Sequence, residues 1–399
     1  MIPFEKAQEK VLGNIPDFGD ETFALEASQG RILAETIVAD RDFPAFDRAT
    51  KDGIAINFDA FKSVGQSFIA EGIAQAGSPQ LVLKDHNACI EVMTGAMVPK
   101  NTDTVIMYEH TTAGNTAFSI EKSIEKGQNI HYQGSDVAKG NELLRPGTKI
   151  TAAEIGVLAS VGKAKVLVKK LPKVAVVSTG NELVEVGETP LPYQIRKSNA
   201  HSLKALLENE KIDAAIFHLE DDPSHIKKGL SDWISKYDVL LLSGGVSKGK
   251  YDFLPSAFEE LGVEKIFHKV LQRPGKPFWF GRHRIHKTCI FSFPGNPVST
   301  FVNYHLYFIP WLDKTLGRET SKFTVFLSDP VSNSTDLTLF LGVKVNMEQG
   351  KAIATTIATT GSGDVTGLTK VDGFVQIAPH ETVTEGSLVA FMPVRNLMK

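Results

Sequence analysis

The sequence predicts an α/β multidomain protein built around a central, doubly wound parallel sheet. Three observations predict this class. Apolar segments typical of buried strands alternate with segments of helical spacing across residues 172–318. Short β-like runs separated by Gly, Asn and Pro occupy residues 46–139. The chain has 399 residues, which is more than a single hydrophobic core usually serves.

The first part of the chain predicts a discontinuous domain of mixed α/β structure, formed by residues 1–45 and 140–171. It opens with a short helix, PFEKAQEKVL, and continues with QGRILAETIVAD, whose pattern indicates a helix passing into a strand. Its second part contains a small helix, TAAEIGVLASV, and a strand, KAKVLVKK. Because both parts show the same mixture of helical and strand patterns, we expect residues 46–139 to form a β-rich inserted domain.

The alternating region supplies the parallel sheet. Its strands are KVAVVS, AAIFHLE, DVLLLS and CIFSFP, and helical segments such as HSLKALLENE and PSHIKKGLSDWISK join them. Strands alternating with helices predict βαβ units with helices on both faces of the sheet. Residues 319–399 return to strands and turns, which predicts a small β-barrel domain at the C-terminus.

Composition limits the classes of partner. The net charge is −3, so the protein as a whole has no field suited to nucleic acid. Any anionic ligand must meet a local cluster of Lys and Arg. Cys89 and Cys289 are far apart in sequence and show no metal-ligand spacing, which favours buried thiols in a reducing compartment. No apolar run reaches the ~18–20 residues of a membrane span, so we predict a cytoplasmic protein with no membrane partner.

Three of the parallel strands end in small, turn-forming sequences: STGNEL at 178–183, SGGVSKG at 243–249 and FPGNPVS at 293–299. The carboxyl ends of parallel strands meet at one edge of a sheet, where ligands bind. Glycine allows close approach to a ligand, and the helix after each loop offers unpaired N–H groups, so these features predict a cradle for phosphate or another oxyanion at this edge. Tight βα turns without a ligand remain the alternative for any one loop. The candidate residues are Thr179, Gly180, Ser243, Gly244, Gly245 and Ser247.

Acidic residues follow the same strand ends. Glu182, Asp221, Asp222 and Asp252 each come just after a predicted strand. Carboxylates beside a phosphate cradle would repel the substrate unless a divalent cation lay between them, and hard oxygen ligands favour Mg²⁺. Each acid alone has a simpler explanation as a loop residue or a helix cap, as in Asp222-Pro223.

Basic residues occur in KVLQRPGKPFWFG, where Lys269, Arg273 and Lys276 flank a Pro-Gly turn. The pattern predicts a hairpin in which Lys269 and Arg273 share one face, and such cations suit oxyanions. A hairpin with a solvated face is the alternative. We expect these cations and the acids at the sheet edge to surround one multiply charged ligand in a shared cleft.

Residues 244–250, GGVSKGK, nearly satisfy the phosphate-loop spacing G-x-x-x-x-G-K. Tyr251 stands where phosphate-loop enzymes need a hydroxyl for Mg²⁺, and Pro255 places the helix start too late. The match therefore supports only an alternative function, a nucleotide-binding phosphotransfer enzyme.

Taken together, these stretches resemble the molybdopterin molybdenumtransferase family, known as MoeA in bacteria and as the E domain of gephyrin in animals. STGNEL with IRKSNAHSL, SGGVSKGKYD, RPGKPFWFG and FPGNPVS match its motifs, and ATKDGIAI and VMTGAMVPKNTDTVIMYE resemble its earlier segments. The resemblance covers essentially the whole chain. The central region is also similar to the smaller adenylyltransferases of the same pathway, known as MogA.

The resemblance implies the last step of molybdenum cofactor assembly. Adenylylated molybdopterin is bound, molybdate is inserted at its dithiolene, and AMP leaves. A homodimer, Mg²⁺ and an adenylyltransferase as partner enzyme are further implications. The alternatives are a molybdopterin adenylyltransferase, another nucleotide-binding phosphotransfer enzyme, and a gephyrin-like scaffold with a vestigial site.

Site residues carry over position by position from the resemblance. Glu182, Asp221 and Asp252 would serve the metal and catalysis, and Lys269, Arg273 and Lys276 would contact phosphate or molybdate. Further contributions are implied for Pro294 and Pro297 in the pocket wall, for Asp52 and Thr94 from the second subunit, and for Asp136 and Ser362.

This chain also departs from the family pattern. Lys51 stands where Met is usual, and Asn101-Thr102 replaces Gly-Ala. His131 and Ser135 replace an Arg and a Glu, and the stretch around Gly342 lacks an expected Arg. His131 could take over the role of the missing Arg only if protonated.

Overall fold

The computed structural model describes residues 1–246 and 253–395. By their internal contacts they form two compact units. Unit 1 comprises Met1–Ala34, Pro146–Thr151 and Val166–Lys399, and unit 2 comprises Glu35–Arg145 and Ala152–Lys165. The four domain boundaries drawn from the sequence are finer than this division and stay a prediction.

The centre of unit 1 is a six-stranded sheet with the strand order β2-β1-β3-β6-β5-β4. The first four strands in that order are parallel, whereas β5 and β4 are antiparallel to their neighbours. Its elements are β1 (Val174–Thr179), α1 (Ser198–Asn209), β2 (Ala214–Leu219), α2 (Pro223–Ile234), β3 (Val239–Ser243), α3 (Leu254–Glu260), β4 (Val263–His268), β5 (Trp279–His283), β6 (Cys289–Phe293) and α4 (Pro297–Asn303).

The sheet is covered on both faces, as its continuous apolar strands predict. Alternate residues of β1 belong to two different hydrophobic cores. Val174 and Val176 lie in one core with Leu203 of α1. Ala175 lies in the other core with Leu230 of α2. Because successive strand residues point to opposite faces, a strand buried on both sides must be apolar throughout.

The N-terminal helix Phe4–Leu12 confirms the helix predicted at the start of the chain and packs on unit 1. Its residues Phe4, Ala7 and Val11 are buried, at the spacing of one helical face. The ring of Phe4 contacts that of Phe340 edge-on, with centroids 5.0 Å apart. The helix is therefore part of the core around the sheet.

The prediction of a helix within QGRILAETIVAD was wrong. Leu33 donates its N–H to the Thr148 carbonyl at 2.9 Å, as in a β-bridge rather than a helix. The guanidinium of Arg31 donates to the Lys169 carbonyl at 2.8 Å and pairs with Glu21 at 2.6 Å. Hydrogen bonds to distant segments thus overrode the local helical pattern.

The C-terminal part of unit 1 is a closed five-stranded barrel, as predicted for this region. Strand Thr338–Glu348 pairs with both Lys351–Thr356 and Gly373–Ile377 and so closes the sheet. Its core contains Val325, Val343 and Val375. The barrel strands, in spatial order, are Thr338–Glu348, Lys351–Thr356, Phe323–Leu327, Leu388–Pro393 and Gly373–Ile377.

The hairpin predicted around the Pro-Gly turn is replaced by a change of sheet. The chain leaves β4 at Lys269, which has a positive φ of 70°. Strand Val270–Arg273 then pairs in parallel with the barrel, where Gln272 is opposite Thr338. Because Lys269 turns the backbone out of the extended conformation, the alternation that would place it on the same face as Arg273 is interrupted.

A fully buried polar network fixes the turn after that strand. The Gln272 amide donates to the Pro274 carbonyl at 2.9 Å and to Asn303 Oδ1 at 2.8 Å. Asn303 Nδ2 donates to the Gly275 carbonyl at 3.2 Å, and the Tyr307 hydroxyl donates to Gln272 Oε1. In a low-dielectric interior such a network is stable only when its members are satisfied.

Asn303→Ala is expected to lower the free energy of unfolding by about 1–3 kcal/mol, because it leaves the buried Gly275 carbonyl and one Gln272 N–H bond without a partner. Urea unfolding followed by fluorescence measures the shift. Asn346→Ala, at an exposed position of the barrel, is the control and should shift the midpoint by no more than about 0.5 kcal/mol. Equal shifts in both variants would contradict the role given to the network.

Unit 2 contains a second six-stranded sheet, which agrees with the β-rich texture of its sequence. Alternate residues of its interior strand Gly53–Ile56 belong to two hydrophobic cores. Ile54 and Ile56 lie in one core, and Ala55 lies in the other. In spatial order the strands are Thr104–Met107, Gly53–Ile56, Cys89–Val92, Ser67–Ala74, Ala117–Ile120 and Thr111–Ala113. The unit also contains helix Ala152–Ser160.

Shorter elements complete the two units. Unit 1 continues after α4 with the π-helix Tyr304–Phe308 and helix Ile309–Thr315. Two-residue to five-residue strands pair as Asp20–Ala24 with Lys165–Lys169, Leu183–Val184 with Ile195–Arg196, Val331–Ser332 with Thr382–Val383, Ile37–Val38 with Glu142–Leu144, and Arg48–Ala49 with Ile130–His131. Across residues 1–246 and 253–395, no helix has the length and apolarity that crossing a membrane requires.

Candidate functional site

The carboxyl ends of the four parallel strands meet at one edge of the unit 1 sheet. The chain runs from β1 through α1 to β2 on one side, and through α2 to β3 on the other, so the order reverses between β1 and β3. Such a reversal opens a crevice at the strand ends, where ligands bind. A cavity of about 300 Å³ lies there, which we call the first cavity.

Residues from all four strand ends line the first cavity. They comprise Ser178, Thr179 and Gly180 at the end of β1, Asp221 after β2, Ser243, Gly244 and Gly245 at the end of β3, and Gly295 and Pro297 after β6. Glu182 and the first turn of α1 complete the wall. The structure thus brings together the strand-end loops that the sequence singled out. Two of the predicted residues, Ser247 and Asp252, lie outside the described residues.

Glycine is required in two of these loops. Gly180 and Gly244 have φ values of 126° and 102°, which other residues rarely adopt. A Cβ atom at Gly244 would lie 2.6 Å from Thr179 Oγ1. The loops after β1 and β3 can therefore approach each other only without a side chain, and their backbone faces the cavity.

Asn199, in the first turn of α1, holds three parts of the wall together. Its Nδ2 lies 2.8 Å from Ser243 Oγ and 2.6 Å from the Gly295 carbonyl, so it can donate to both. Ser243 in turn lies 3.3 Å from the Thr300 hydroxyl of α4. The Ser-Asn motif of IRKSNAHSL is visible in the sequence, but Asn199 was not predicted as part of the site.

The acids at this edge have separate roles. Glu182 and Asp221 line the first cavity, and the Asp221 N–H donates to Asn181 Oδ1 at 3.0 Å. Asp222 instead caps α2, accepting from the Ser224 and His225 N–H groups at 2.9 and 3.0 Å. Hydrogen bonds, first from the Ser224 side chain and then from the His225 backbone, lower the pKa of Asp222.

A second cavity, of about 1010 Å³, lies between the α/β sheet and the barrel within unit 1. Arg273 and Lys276 line it, and both are exposed. Ser362 enters its wall from the barrel, where its hydroxyl accepts from Asn296 Nδ2 at 2.8 Å. Lys269, the third predicted cation, lines neither cavity.

The loop at 294–298 forms a common wall of the two cavities. Gly295 and Pro297 line the first cavity, whereas Pro294, Asn296 and Val298 line the second. The single cleft expected from the sequence is therefore two cavities, with Glu182 in one and Arg273 in the other. The loop at 294–298 separates them, since its alternate residues line opposite cavities.

The structure gives a steric reason why the barrel lacks the Arg expected around Gly342. Gly342 lies on the barrel strand that lines the second cavity, and a Cβ atom there would come within 2.7 Å of Val371 Cγ1. A long basic side chain at this position would have to displace Val371, which is buried. The second cavity is consequently left with Arg273 and Lys276 as cations of its lining.

Two predicted residues of unit 2 form a pair. Asp52 Oδ1 accepts from the Thr94 N–H at 2.6 Å and from the Thr94 hydroxyl at 2.7 Å. These bonds stabilise the ionised form, the side-chain bond most, and lower the pKa of Asp52. The sequence placed the two residues in one site, and the structure places them in hydrogen-bond contact.

Asp136, the third predicted residue of unit 2, accepts a hydrogen bond from His131 Nε2 at 2.9 Å. The guanidinium of Arg48 donates to His131 Nδ1, with Nη2 at 3.0 Å. That a protonated His131 replaces the missing Arg stays a prediction, and the guanidinium of Arg48 brings a positive charge next to it.

Thr94→Val is expected to raise the pKa of Asp52 towards its ordinary value, because the hydroxyl donor is lost while the backbone donor remains. A carboxyl whose pKa is lowered by folding adds stability above its unfolded pKa, and this stability is lost as the pH falls through the folded pKa. The variant should therefore have a lower free energy of unfolding than the wild type at neutral pH. On acidification its free energy of unfolding should fall less than that of the wild type. Carboxyl ¹³C NMR titration measures the pKa, and an unchanged value would contradict the assignment.

The protein resembles known proteins along its whole length. A family model described as the MoeA N-terminal region (domain I and II) matches residues 2–162, and one described as a probable molybdopterin binding domain matches residues 175–314. A molybdopterin molybdenumtransferase from Synechocystis sp. is 36% identical over 385 residues, covering 96% of each chain. One from Staphylococcus epidermidis is 33% identical over 331 residues, covering 80% of this chain and 77% of its own.

A solved structure shares the fold. The molybdopterin biosynthesis MoeA protein from Pyrococcus horikoshii superposes with a TM-score of 0.83 and 32% identity, covering 99% of this chain and 100% of its own. The similarity includes both the central sheet and the barrel, since nearly every residue of the two chains is aligned. With its two matching domain models and its curated relatives, this chain belongs to the MoeA family of molybdopterin molybdenumtransferases.

Proposed function

We propose that this protein inserts molybdate into adenylylated molybdopterin and releases AMP, completing the molybdenum cofactor. Its relatives from Synechocystis and Staphylococcus carry the name of this transferase. The observation that carries the proposal is the pair of cavities on either side of the loop at 294–298. A reaction that joins an oxyanion to a phosphorylated organic molecule needs two anion sites a short distance apart.

The first cavity would hold the phosphoanhydride and the adenylyl group. Its glycine loops expose backbone, and the first turn of α1, including Ser198 and Asn199, lines the wall. The N-terminus of a helix carries unpaired N–H groups and a positive dipole end, which bind phosphate. These groups would fix the phosphorus atom while the bond to AMP breaks.

The second cavity would hold molybdate. Arg273 can donate two parallel hydrogen bonds to a tetrahedral oxyanion, and Lys276 supplies a second positive charge. The Ser362 hydroxyl adds a donor, because its oxygen already accepts from Asn296 and its proton is free to point elsewhere. The shared loop at 294–298 would place molybdate next to the dithiolene.

Mg²⁺ is proposed as the metal of the first cavity. The donors fit, because Mg²⁺ is usually bound by one or two carboxylates together with phosphate oxygens and water. Glu182 and Asp221, which line this cavity, would supply the carboxylates. The family resemblance implies Asp252 as a third ligand. Residues 1–246 and 253–395 contain no group of three His, Cys, Asp or Glu side chains able to hold a metal on their own. The bound metal would neutralise charge on the phosphate oxygens.

The protein is further proposed to act as a cytoplasmic homodimer that receives its substrate from an adenylyltransferase. Asp52, Thr94 and Asp136 would then serve the site of the second copy. Two inactive variants, Asp52→Asn and Glu182→Gln, should complement each other when mixed and refolded together. Half of the sites in each mixed dimer would be intact, which gives about a quarter of full activity in an equal mixture. A mixture that stays inactive would contradict shared sites.

The test of the function itself is AMP release by the purified protein. Incubation with adenylylated molybdopterin should release AMP when molybdate and Mg²⁺ are both present, and much less when either is omitted. The product should contain molybdenum stoichiometric with AMP, as measured by elemental analysis. AMP release that ignores molybdate would indicate hydrolysis instead of transfer and would contradict the proposal.

A further inference from the structure

Lys197 places a positive charge in the wall of the first cavity. Its side chain is only 8% exposed, and the residue directly precedes α1, whose first turn lines the same cavity. Lysine is rarely buried to this extent unless its charge is paired. Here the ammonium group pairs with the carboxylate of Glu185.

The two partners of this pair differ in their surroundings. Glu185 is 62% exposed and belongs to the segment between strands Leu183–Val184 and Ile195–Arg196. The cation is therefore fixed by burial, whereas its anion can move into solvent. An ion pair with one exposed partner contributes little to stability, while burying the lysine costs free energy. Stability alone is a weak reason for this arrangement.

The surroundings of Lys197 favour a second anion. At the N-terminus of α1, Lys197 occupies the cap position, and no side chain of the described residues caps the helix there. His218 lies nearby, with Nδ1 3.1 Å from Ser178 Oγ. Burial first, and the charge of Lys197 second, lower the pKa of His218, which disfavours a second positive charge beside the lysine. The positive groups of this wall are then Lys197, the helix end and Arg196, which is exposed and whose Nε donates to the Glu188 carbonyl at 3.1 Å.

We propose that Lys197 binds a phosphate group of the ligand in the first cavity. In the free protein the Glu185 carboxylate pairs with Lys197, and the phosphate displaces it on binding. The phosphate carries more charge and more acceptor oxygens than a carboxylate, and the uncapped N–H groups of α1 add donors to it. Glu185 then returns to solvent, where it is already largely exposed. This inference rests on the proposed function, which places a nucleotide phosphate in this cavity.

The proposal makes the two partners act in opposite directions. Lys197→Met removes the cation that binds phosphate, so binding should weaken. Glu185→Gln removes the competitor and leaves the cation, so binding should tighten. An ion pair that only orders the segment would respond in the same direction to both changes, because either substitution breaks it.

The experiment measures AMP binding to the full-length protein by titration calorimetry. Lys197→Met should raise the Kd about tenfold or more, since a hydrogen bond to a charged group is lost. Glu185→Gln should lower it about two- to fivefold, the range of an exposed ion pair. Once Lys197 is Met, adding Glu185→Gln should change nothing further. Thermal unfolding of each variant checks that the fold is kept.

Two control variants make the same charge changes, Lys to Met and Glu to Gln, at other positions of α1. Lys204→Met alters another lysine of α1, which pairs with exposed Asp213 at 3.8 Å, and Glu208→Gln alters an exposed acid of the same helix. Both should leave the Kd within twofold. Weaker binding in both Lys197→Met and Glu185→Gln, or no change in either, would overturn this inference alone. Wild-type protein that binds neither AMP nor pyrophosphate would overturn the proposed function with it.

Discussion

Glu182→Gln is expected to slow molybdate-dependent AMP release by on the order of a hundredfold, the scale of losing one charged group that stabilises a reacting phosphate. The substitution keeps the size of the side chain and removes its charge. Because Glu182 is exposed at the rim of the first cavity, the fold should tolerate the change. The loss would therefore report on the reaction rather than on folding.

The dependence on Mg²⁺ makes this prediction specific. If Glu182 holds the metal, the variant should need a higher Mg²⁺ concentration for half-maximal rate, and excess Mg²⁺ should restore part of the activity. Glu188→Gln removes a charge from an exposed position six residues along, outside the cavity lining, and should behave as wild type. A variant that loses activity with unchanged Mg²⁺ dependence would contradict the metal role.

Arg273→Gln should raise the KM for molybdate about ten- to a hundredfold, which corresponds to losing charged hydrogen bonds of roughly 1.5–3 kcal/mol. The KM for adenylylated molybdopterin should change much less, because Arg273 lines the second cavity and the phosphate loops line the first. Steady-state rates at varied concentrations of each substrate separate the two effects.

Lys265→Gln is the matched control for this substitution. It also removes one positive charge, from an exposed position on β4 of the same sheet, and should leave both KM values unchanged. If Arg273→Gln raised both KM values equally, the two cavities would not hold separate substrates. The assignment of molybdate to the second cavity would then fail.

Much of the α/β sheet could be predicted, because its signal is local. Strands β1, β3 and β6 are apolar at most positions, as two buried faces require, and their ends carry the glycine loops. Parallel pairing then aligns those ends. For this reason Thr179, Gly244 and Asp221 could be placed at one edge before their positions were known.

Other features depend on distant contacts that leave no local pattern. The hairpin prediction failed because strand Val270–Arg273 pairs with the barrel, some 70 residues further along. The role of Asn199 depends on its amide meeting Ser243 and Gly295, which are far apart in sequence. No local pattern in the sequence around Lys197 predicts a buried lysine, and only its burial in the structure reveals it.

The site prediction was limited by the same cause. Whether Glu182 and Arg273 share a cleft depends on the loop at 294–298, whose alternate residues face the two cavities. Nothing in FPGNPVS distinguishes a loop that lines one cavity from a loop that divides two. The absence of an Arg around Gly342 could be seen in the sequence. Its steric reason could not, because it is the close approach of Val371 to position 342.

The closure of the C-terminal barrel has a consequence for behaviour at high concentration. Each of its five strands, from Phe323–Leu327 to Leu388–Pro393, is hydrogen-bonded on both sides within the described part of the chain. A strand with free backbone groups is a template on which another molecule can add a strand and begin aggregation. By leaving no such template, the folded barrel gives no edge at which this kind of aggregation could begin when the protein is stored at high concentration.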